Sequence, residues 1–586
     1  MFPSQTSLIP IGVAVARFIE AGNSLYSSWY PYWYLGVPAI YLLGPVVPTL
    51  LVLLHKFFPG VGLFNLSFIL ITFSFIAGVI GWGVLARRIS ENRIVGILVF
   101  VFAAILPWRY LASLALEETT FLVARNFLPW VLFTIYYHLK ESTNRRLVVC
   151  LLALSLLLLV NTSILPILIV GAGSIILAVS FREGEDGKPG KLRGIWAYLK
   201  RFLKVLGIAV VVVTLWYTPG YWKTILFNPS IGGASVGKVL LRIFEILRNG
   251  LPFFLAIASV FFSGKFKSRI TVFTLTWLLT FIFLSVFRLL GDPDFWQDWS
   301  SWFYELEIGI AFLAAQAAAS VARKNGYRYS IKIYIVIFIL FLSPYWLSFR
   351  VYQTLGRPKL VSKTLPDGIS SLAKAAELAD GTRVFLSGST VFWANALYDI
   401  DQVRGGQDKV AIHPYWDHAA YQIREGDSSE LTSSWLQSLG VKYVLVHTPK
   451  SYEYYHDFVN LSKWEDVGRV VWQGNGDMIF ELPKTSLAWE DKPGGNAGKV
   501  GPKGGADLAA LTEYLSSRSK PVEVTESKTG YRILLGEPGT LVSLVITYDS
   551  GWRAYGSDGR ALKVKKDTLG NILIETEEEN EIFLKY

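Results

Sequence analysis

Two neighbouring carboxylates, Glu117 and Glu118, close an apolar run, and Arg125 follows shortly after. Adjacent carboxylates raise each other's proton affinity, so in an outward cleft the pair could act as base or metal ligands; a hydrated helix end is the plainer reading. A second acidic group lies in Gly291-Asp-Pro-Asp-Phe-Trp-Gln-Asp-Trp299. There Asp292, Asp294 and Asp298 offer hard oxygen ligands to a cation. Trp296 and Trp299 beside them are stacking surfaces. Glu20 is a third candidate acid, spaced from Arg17 as a helical surface ion pair would be. Glu305 and Glu307 open another apolar run, where a buried acid is costly and serves a pathway or a partner. Arg288 is the natural partner for them, or a grip for a phosphate, as are Arg109 and Arg125. His413, Asp417 and His418 in HPYWDH do not have zinc-ligand spacing, and Asn460-Leu-Ser462 is a glycosylation sequon.

These residues need elements to hold them. Ser27 to Pro48 reads SSWYPYWYLGVPAIYLLGPVVP. Its rings suit a membrane–water boundary, and its four prolines argue against one straight helix. Trp29, Tyr30, Trp33 and Tyr34 are expected to shape the mouth of a site; an ordinary aromatic belt is the alternative. Ser7 to Ala21 reads as an amphipathic surface helix, too short and too charged to span.

The 586-residue chain is 52% hydrophobic, and its apolar runs are concentrated before Arg350. They predict about ten spans between residues 61 and 350, preceded by an external segment over 1–60. The net charge of +11 sits largely in short loops between those runs, which is where orientation determinants belong; nucleic acid is not an expected partner. Placing the basic loops in the cytoplasm puts Glu117, Glu118, the Asp292 loop and everything after Arg350 outside. The loop Tyr221 to Arg248 dissents with Lys223, Lys238, Arg242 and Arg248. Cys150 is the single cysteine, so no intrachain disulfide can form. From 358 to 486, helical and β-rich runs alternate, predicting a small α/β domain. A Gly-rich linker over 487–508 follows, and short strands with turns over 509–586 predict a β-sandwich.

Three motifs in order resemble a family of membrane proteins in the GT-C glycosyltransferase superfamily, the YfhO-like and 6-pyruvoyl-tetrahydropterin synthase-related proteins. They are the aromatic stretch 27–48, Leu439-Gly-Val-Lys-Tyr-Val-Leu-Val446, and Tyr548-Asp-Ser-Gly-Trp-Arg-Ala554 with Ser557-Asp-Gly-Arg560. The resemblance implies a polytopic α-helical membrane bundle followed by an external α/β domain and a C-terminal β-sandwich. It implies a multi-pass cell-membrane transferase, with extracytoplasmic C-terminal domains, that moves a sugar from a polyprenyl-phosphate donor to a glycan, lipid or protein acceptor. It also implies a carboxylate in the first external loop, where this chain reads Ser4-Gln5-Thr6, and a spanning helix ahead of that loop, which the chain enters at Met1. The residues expected to act as base or metal ligand are Glu20, Glu117, Glu118, Asp292 and Asp294. Those expected to meet donor or acceptor are Trp29, Tyr30, Trp33, Tyr34, Arg109, Arg125, Arg288, Trp296 and Trp299. A divalent cation is a candidate cofactor, and membrane lipids are partners. The rival reading is a non-catalytic relative that binds lipid-linked glycans or scaffolds surface assembly.

Overall fold

The computed structural model describes residues 1–182, 191–192, 194–228, 268–289, 300–322, 331–483, 485–491, 501–527, 530–536, 540–577 and 579–586, with scattered positions between 240 and 258. A helical core is followed by a β-rich C-terminal region.

In the core, α1 (Ile9–Glu20), α2 (Val46–Phe57), α3 (Leu63–Ser90), α4 (Arg93–Ile105), α5 (Trp108–Ala115) and α6 (Thr119–Lys140) follow one another with short links. Next come α7 (Asn144–Val160), α8 (Leu165–Ser180), α9 (Ile195–Val213) and α10 (Pro219–Leu226). The last core helices are α11 (Arg269–Leu289), α12 (Ser300–Ala322) and α13 (Ile331–Thr354). Side-chain caps set several starts: Asn92 Oδ1 accepts from Ile94 N at 2.9 Å, and Thr143 Oγ1 accepts from Arg146 N at 3.4 Å. α3 lies close against α6 because Gly78 and Gly81 present no side chain there. A Cβ at Gly78 would stand 2.9 Å from Asn126 Cα, and one at Gly81 2.9 Å from Pro129. Small residues give this approach wherever apolar helices pack by contact.

Among the described residues three helices, within Leu63–Ser90, Thr162–Ser180 and Tyr334–Thr354, are long and apolar enough to cross a membrane. The bent pair α4 and α5 would make a fourth. The expectation of about ten spans counted apolar runs alone. Several of those runs form helices of only 13 to 17 residues, such as α4 and α7. Others carry ionisable side chains on a buried face, as α12 does with Glu305 and Glu307.

α1 is not the surface helix its charges suggested. Every residue from Ile9 to Ala16 is buried, because the IPIGVAVA half is apolar all round and is enclosed by neighbours. The aromatic stretch forms a small hairpin, Trp29–Tyr30 against Val37–Pro38. Its turn takes Tyr34, Leu35 and Gly36 through positive φ of 55°, 62° and 98°. Only glycine adopts that region without strain, so the two side-chain-bearing residues are held there by their surroundings.

In the β-rich region, strands Arg383–Phe385, Val441–His447, Asp477–Glu481 and Arg469–Gly474 form a four-stranded sheet in that order, its first pair parallel. Helices Ser370–Ala379, Thr390–Leu397, Trp416–Arg424 and Ser429–Ser438 accompany it. A nine-stranded antiparallel sheet ends the chain, with alternating Val542, Leu544 and Ile546 facing Ile572, Ile574, Ile582 and Leu584 in its core. Ala488–Asp491, read from sequence as linker, pairs with Leu541–Thr547 in this sheet. Its AWED pattern buries Ala488, Glu490 and Asp491 there.

Candidate functional site

The break between α4 and α5 builds the centre of the site. Pro107 has no N–H to continue α4, so the two helices meet at 46°. The α4 carbonyls released by the break find side-chain donors. Ala103 O accepts from Arg109 at 3.0 Å, Ala104 O from the Tyr110 hydroxyl, and Ile105 O from the Tyr345 hydroxyl at 3.2 Å. The other side of the break leaves the first N–H groups of α5 without helical partners. Glu307 of α12 takes them, accepting from Trp108 N at 2.8 Å and Arg109 N at 3.2 Å, where the positive end of the helix dipole favours a carboxylate.

A buried charge network grows from there. The Arg109 guanidinium donates to Tyr304 Oη at 3.0 Å and Asn126 Oδ1 at 3.2 Å, and Tyr304 donates to Asn126 at 2.9 Å. Arg125 pairs with Glu117 at 3.0 Å and with Glu305 at 3.5 Å. Both guanidinium groups lie over the Tyr304 ring, at 4.8 and 4.5 Å from its centroid, and Arg125 also covers Phe121. Glu117, Arg125, Glu305, Glu307 and Arg109 are all buried. Glu305 is singular among them. Its oxygens receive no hydrogen bond among the described residues, leaving the Arg125 ion pair as its compensation. The sequence marked Glu305 as a buried acid and looked to Arg288 for a partner; the Arg288 side chain lies outside the described residues, and among those described the cation beside Glu305 is Arg125, whose long side chain reaches it from α6.

Glu118 has different work. It caps α6, accepting from Thr120 N at 2.7 Å, Phe121 N at 3.1 Å and the Thr120 hydroxyl. Burial raises its carboxyl above the usual range, against the pull of those hydrogen bonds. α1 lies over it: a Cβ at Gly12 would be 3.5 Å from Glu118 Oε1. From the α/β domain, Lys409 reaches the same place and donates to Ser163. Burial pushes the Lys409 ammonium down to about 8, partly opposed by the charge of Glu118. Nothing in the sequence pointed to Lys409. It arrives because Asp408 is held by Tyr34 at 2.9 Å and by Asn228 at 3.0 Å.

The four rings of the aromatic stretch are buried in the seam between units. Trp29 enters the terminal sheet's core, with its ring 4.9 Å from both Trp552 and Tyr586. Tyr30 packs on Phe18 and Trp33, and Trp33 donates to Asn395 at 2.9 Å. The turn's backbone is read from both sides: Gln402 N donates to Tyr32 O at 3.0 Å, and Thr547 N to Leu35 O at 2.9 Å. Glu20 does not pair with Arg17. It meets His55 of α2, while Arg17 turns to Asn395 O and Asp399. Glu20 also lies about 12 Å along α1 from the Gly12 contact with Glu118, at 1.5 Å per residue. Asp292, Asp294, Asp298, Trp296, Trp299 and the side chain of Arg288 lie outside the described residues. His413 is buried and held neutral, its pKa pushed down to about 3 by burial, and its Nδ1 accepts from Tyr415 N at 3.2 Å. No group of three His, Cys, Asp or Glu side chains is arranged to hold a metal ion among the described residues.

No protein-family model and no curated protein sequence matches the chain. Among solved structures, the mycobacterial arabinofuranosyltransferase AftD is similar at 14% identity and a TM-score of 0.46, over 89% of this chain and 42% of that one. A mutant form of AftD gives 12% and 0.45, over 100% of this chain and 58% of that one. The apo oligosaccharyltransferase of Archaeoglobus fulgidus gives 13% and 0.39, over 76% of this chain and 66% of that one. The chain thus spans less than two thirds of the length of each. Likeness at these TM-scores is loose and fixes neither donor nor acceptor.

Proposed function

We propose that the chain is a membrane-embedded, multi-pass glycosyltransferase of GT-C type, moving a sugar from a polyprenyl-phosphate donor to a glycan, lipid or protein acceptor at the extracytoplasmic face. The observation that carries this reading is the convergence of buried Glu117, Glu305 and Glu307 with Arg109 and Arg125 at a broken apolar helix, with a second charged pair, Glu118 and Lys409, at the start of α6. Interrupted helices whose ends meet charged groups are a way to build anion sites at membrane depth. The sequence resemblance adds the substrate class. Removal of the acceptor's proton needs a carboxylate with an open lone pair. Glu118 has three donors on its oxygens, whereas Glu305 has none among the described residues, so Glu305 is the stronger base. Glu117 holds Arg125 in place, and the arginines and Lys409 are the cations for the leaving phosphate. Asp292 and Asp294 remain candidate metal ligands, and no step is assigned to a metal.

The test is transfer of labelled sugar from a polyprenyl-phosphate donor in proteoliposomes. Glu305→Gln and Glu117→Gln should each lose about 100-fold or more, the range a general base or its support supplies. Undiminished transfer in both overturns the assignment. A second reading, a non-catalytic binding or scaffold protein, is favoured by the internal hydrogen bonds and ion pairs that Arg109 and Arg125 make. On that reading the wild-type chain transfers nothing while retaining affinity for the lipid-linked glycan.

A further inference from the structure

Helix α2 has two unlike faces. Val47, Leu51 and Val52 are buried, where α2 packs on α1 and α3. Leu53 and Phe57, one helical turn apart, are 47% and 77% exposed, and Phe58 at the end is 56% exposed. Twelve residues span about 18 Å, too little to cross a hydrocarbon core of about 30 Å. After Pro59-Gly60-Val61-Gly62 the chain enters α3, whose exposed stripe is Ile69, Phe73, Ile76 and Ile80. At 28 residues α3 runs about 42 Å, so one or both of its ends project beyond that core. The exposed end of α2 therefore precedes α3 by four residues of chain, at the end of α3 nearer the start of its exposed stripe. His55 and Lys56 stand beside the two phenylalanines, the mixture of rings and basic groups that suits the headgroup boundary.

We propose that the Leu53–Phe57–Phe58 edge of α2 is a monotopic membrane anchor, seated in the lipid bilayer at the boundary between headgroups and acyl chains. The rings of Trp29, Tyr30, Trp33 and Tyr34, which the sequence offered for that role, are inside the protein instead. The anchor is coupled to the candidate site through α1. His55 of α2 holds Glu20 at one end of α1, and Gly12 near its other end lies over Glu118. Seating α2 at the boundary thus sets the height of the Glu118 end of the site against the plane of lipid phosphates. That consequence rests on the proposed function; the depth of α2 does not.

Cys150 is the chain's single cysteine and is buried, so an added cysteine can be labelled selectively. Phe58→Cys and, separately, Leu53→Cys would carry a bimane label on the full chain in phosphatidylcholine vesicles. Nitroxide would be placed at acyl carbon 5 or 12. The expected result is at least twofold stronger quenching from carbon 5 than from carbon 12 at both positions, with the order reversed for Ile76→Cys on α3. Quenching of Ile76→Cys alone would mean that protein, a second copy included, covers α2, and would overturn the anchor while leaving a membrane-embedded α3. Stronger quenching from carbon 12 at positions 53 and 58 would make α2 a deep element and also overturn it. Quenching at none of the three would overturn the membrane reading itself.

Discussion

Removing the positive charge of Arg125 should damage the protein far more than removing the negative charge of Glu305, although the two face each other. Arg125 serves two carboxylates, Glu117 at 3.0 Å and Glu305 at 3.5 Å, in a region with almost no exposure. With an effective dielectric of about 20, each contact represents roughly 5 kcal/mol of attraction, most of it offset by the cost of taking the ions out of water. Arg125→Met leaves both carboxylates buried without their cation, a loss of about 3–5 kcal/mol. Glu305→Gln keeps the closer Glu117 pair and relieves one carboxylate that receives no hydrogen bond among the described residues, so its effect should stay within about 1 kcal/mol. The assay is equilibrium unfolding in mixed micelles titrated with denaturing detergent, followed by tryptophan fluorescence, with the variants compared as differences. A double variant, Glu117→Gln with Arg125→Met, should recover part of the loss, because one stranded charge is gone. Equal losses for Arg125→Met and Glu305→Gln, or a loss below about 1 kcal/mol for Arg125→Met, would refute the picture of one cation shared by two acids.

Other perturbations follow from the seam and the α/β domain. Gly36→Ala should cost at least about 1–2 kcal/mol from positive φ alone, and more because its Cβ would stand 2.2 Å from Trp29 Nε1; thermal unfolding of the full chain reads it. Trp33→Phe removes the donor to Asn395 and should cost about 1–2 kcal/mol, with faster proteolytic release of the N-terminal segment. Burial disfavours a charged His447, but its hydrogen bond to Asp477 and the charges of Glu453 and Asp477 prevail and raise its pKa. Its contribution should be complete below about pH 6.5, the unfolded value, and fade as pH rises through the higher folded value. Asp477→Asn should flatten that part of the stability–pH profile. Lys409, depressed to about 8, works in the opposite sense: stability should rise between about pH 8 and its unfolded value near 10.4, a slope that Lys409→Met abolishes.

The C-terminal strands were legible because short runs rich in β-branched and aliphatic residues, such as LVSLVIT and NILIE, are bounded by turn residues and suit a pleated sheet, here one that buries them on both faces. The acids and arginines of the site were legible as types: a carboxylate in an apolar run is costly wherever it lies. Pairing was not. Arg125 meets Glu305 across 180 residues of chain, and Lys409 comes to Ser163 across 246. Such contacts depend on where α6, α12 and the α/β domain come to lie in the folded chain, and local periodicity carries no record of that. The aromatic stretch shows the same limit. Its rings announce a surface with one apolar and one polar side, and a membrane boundary and a protein seam both answer that description. Only tertiary structure chose the seam, because Asn395, Asp408 and Thr547, all distant in sequence, supply Trp33 and Tyr34 with the polar partners that water or headgroups would otherwise have given.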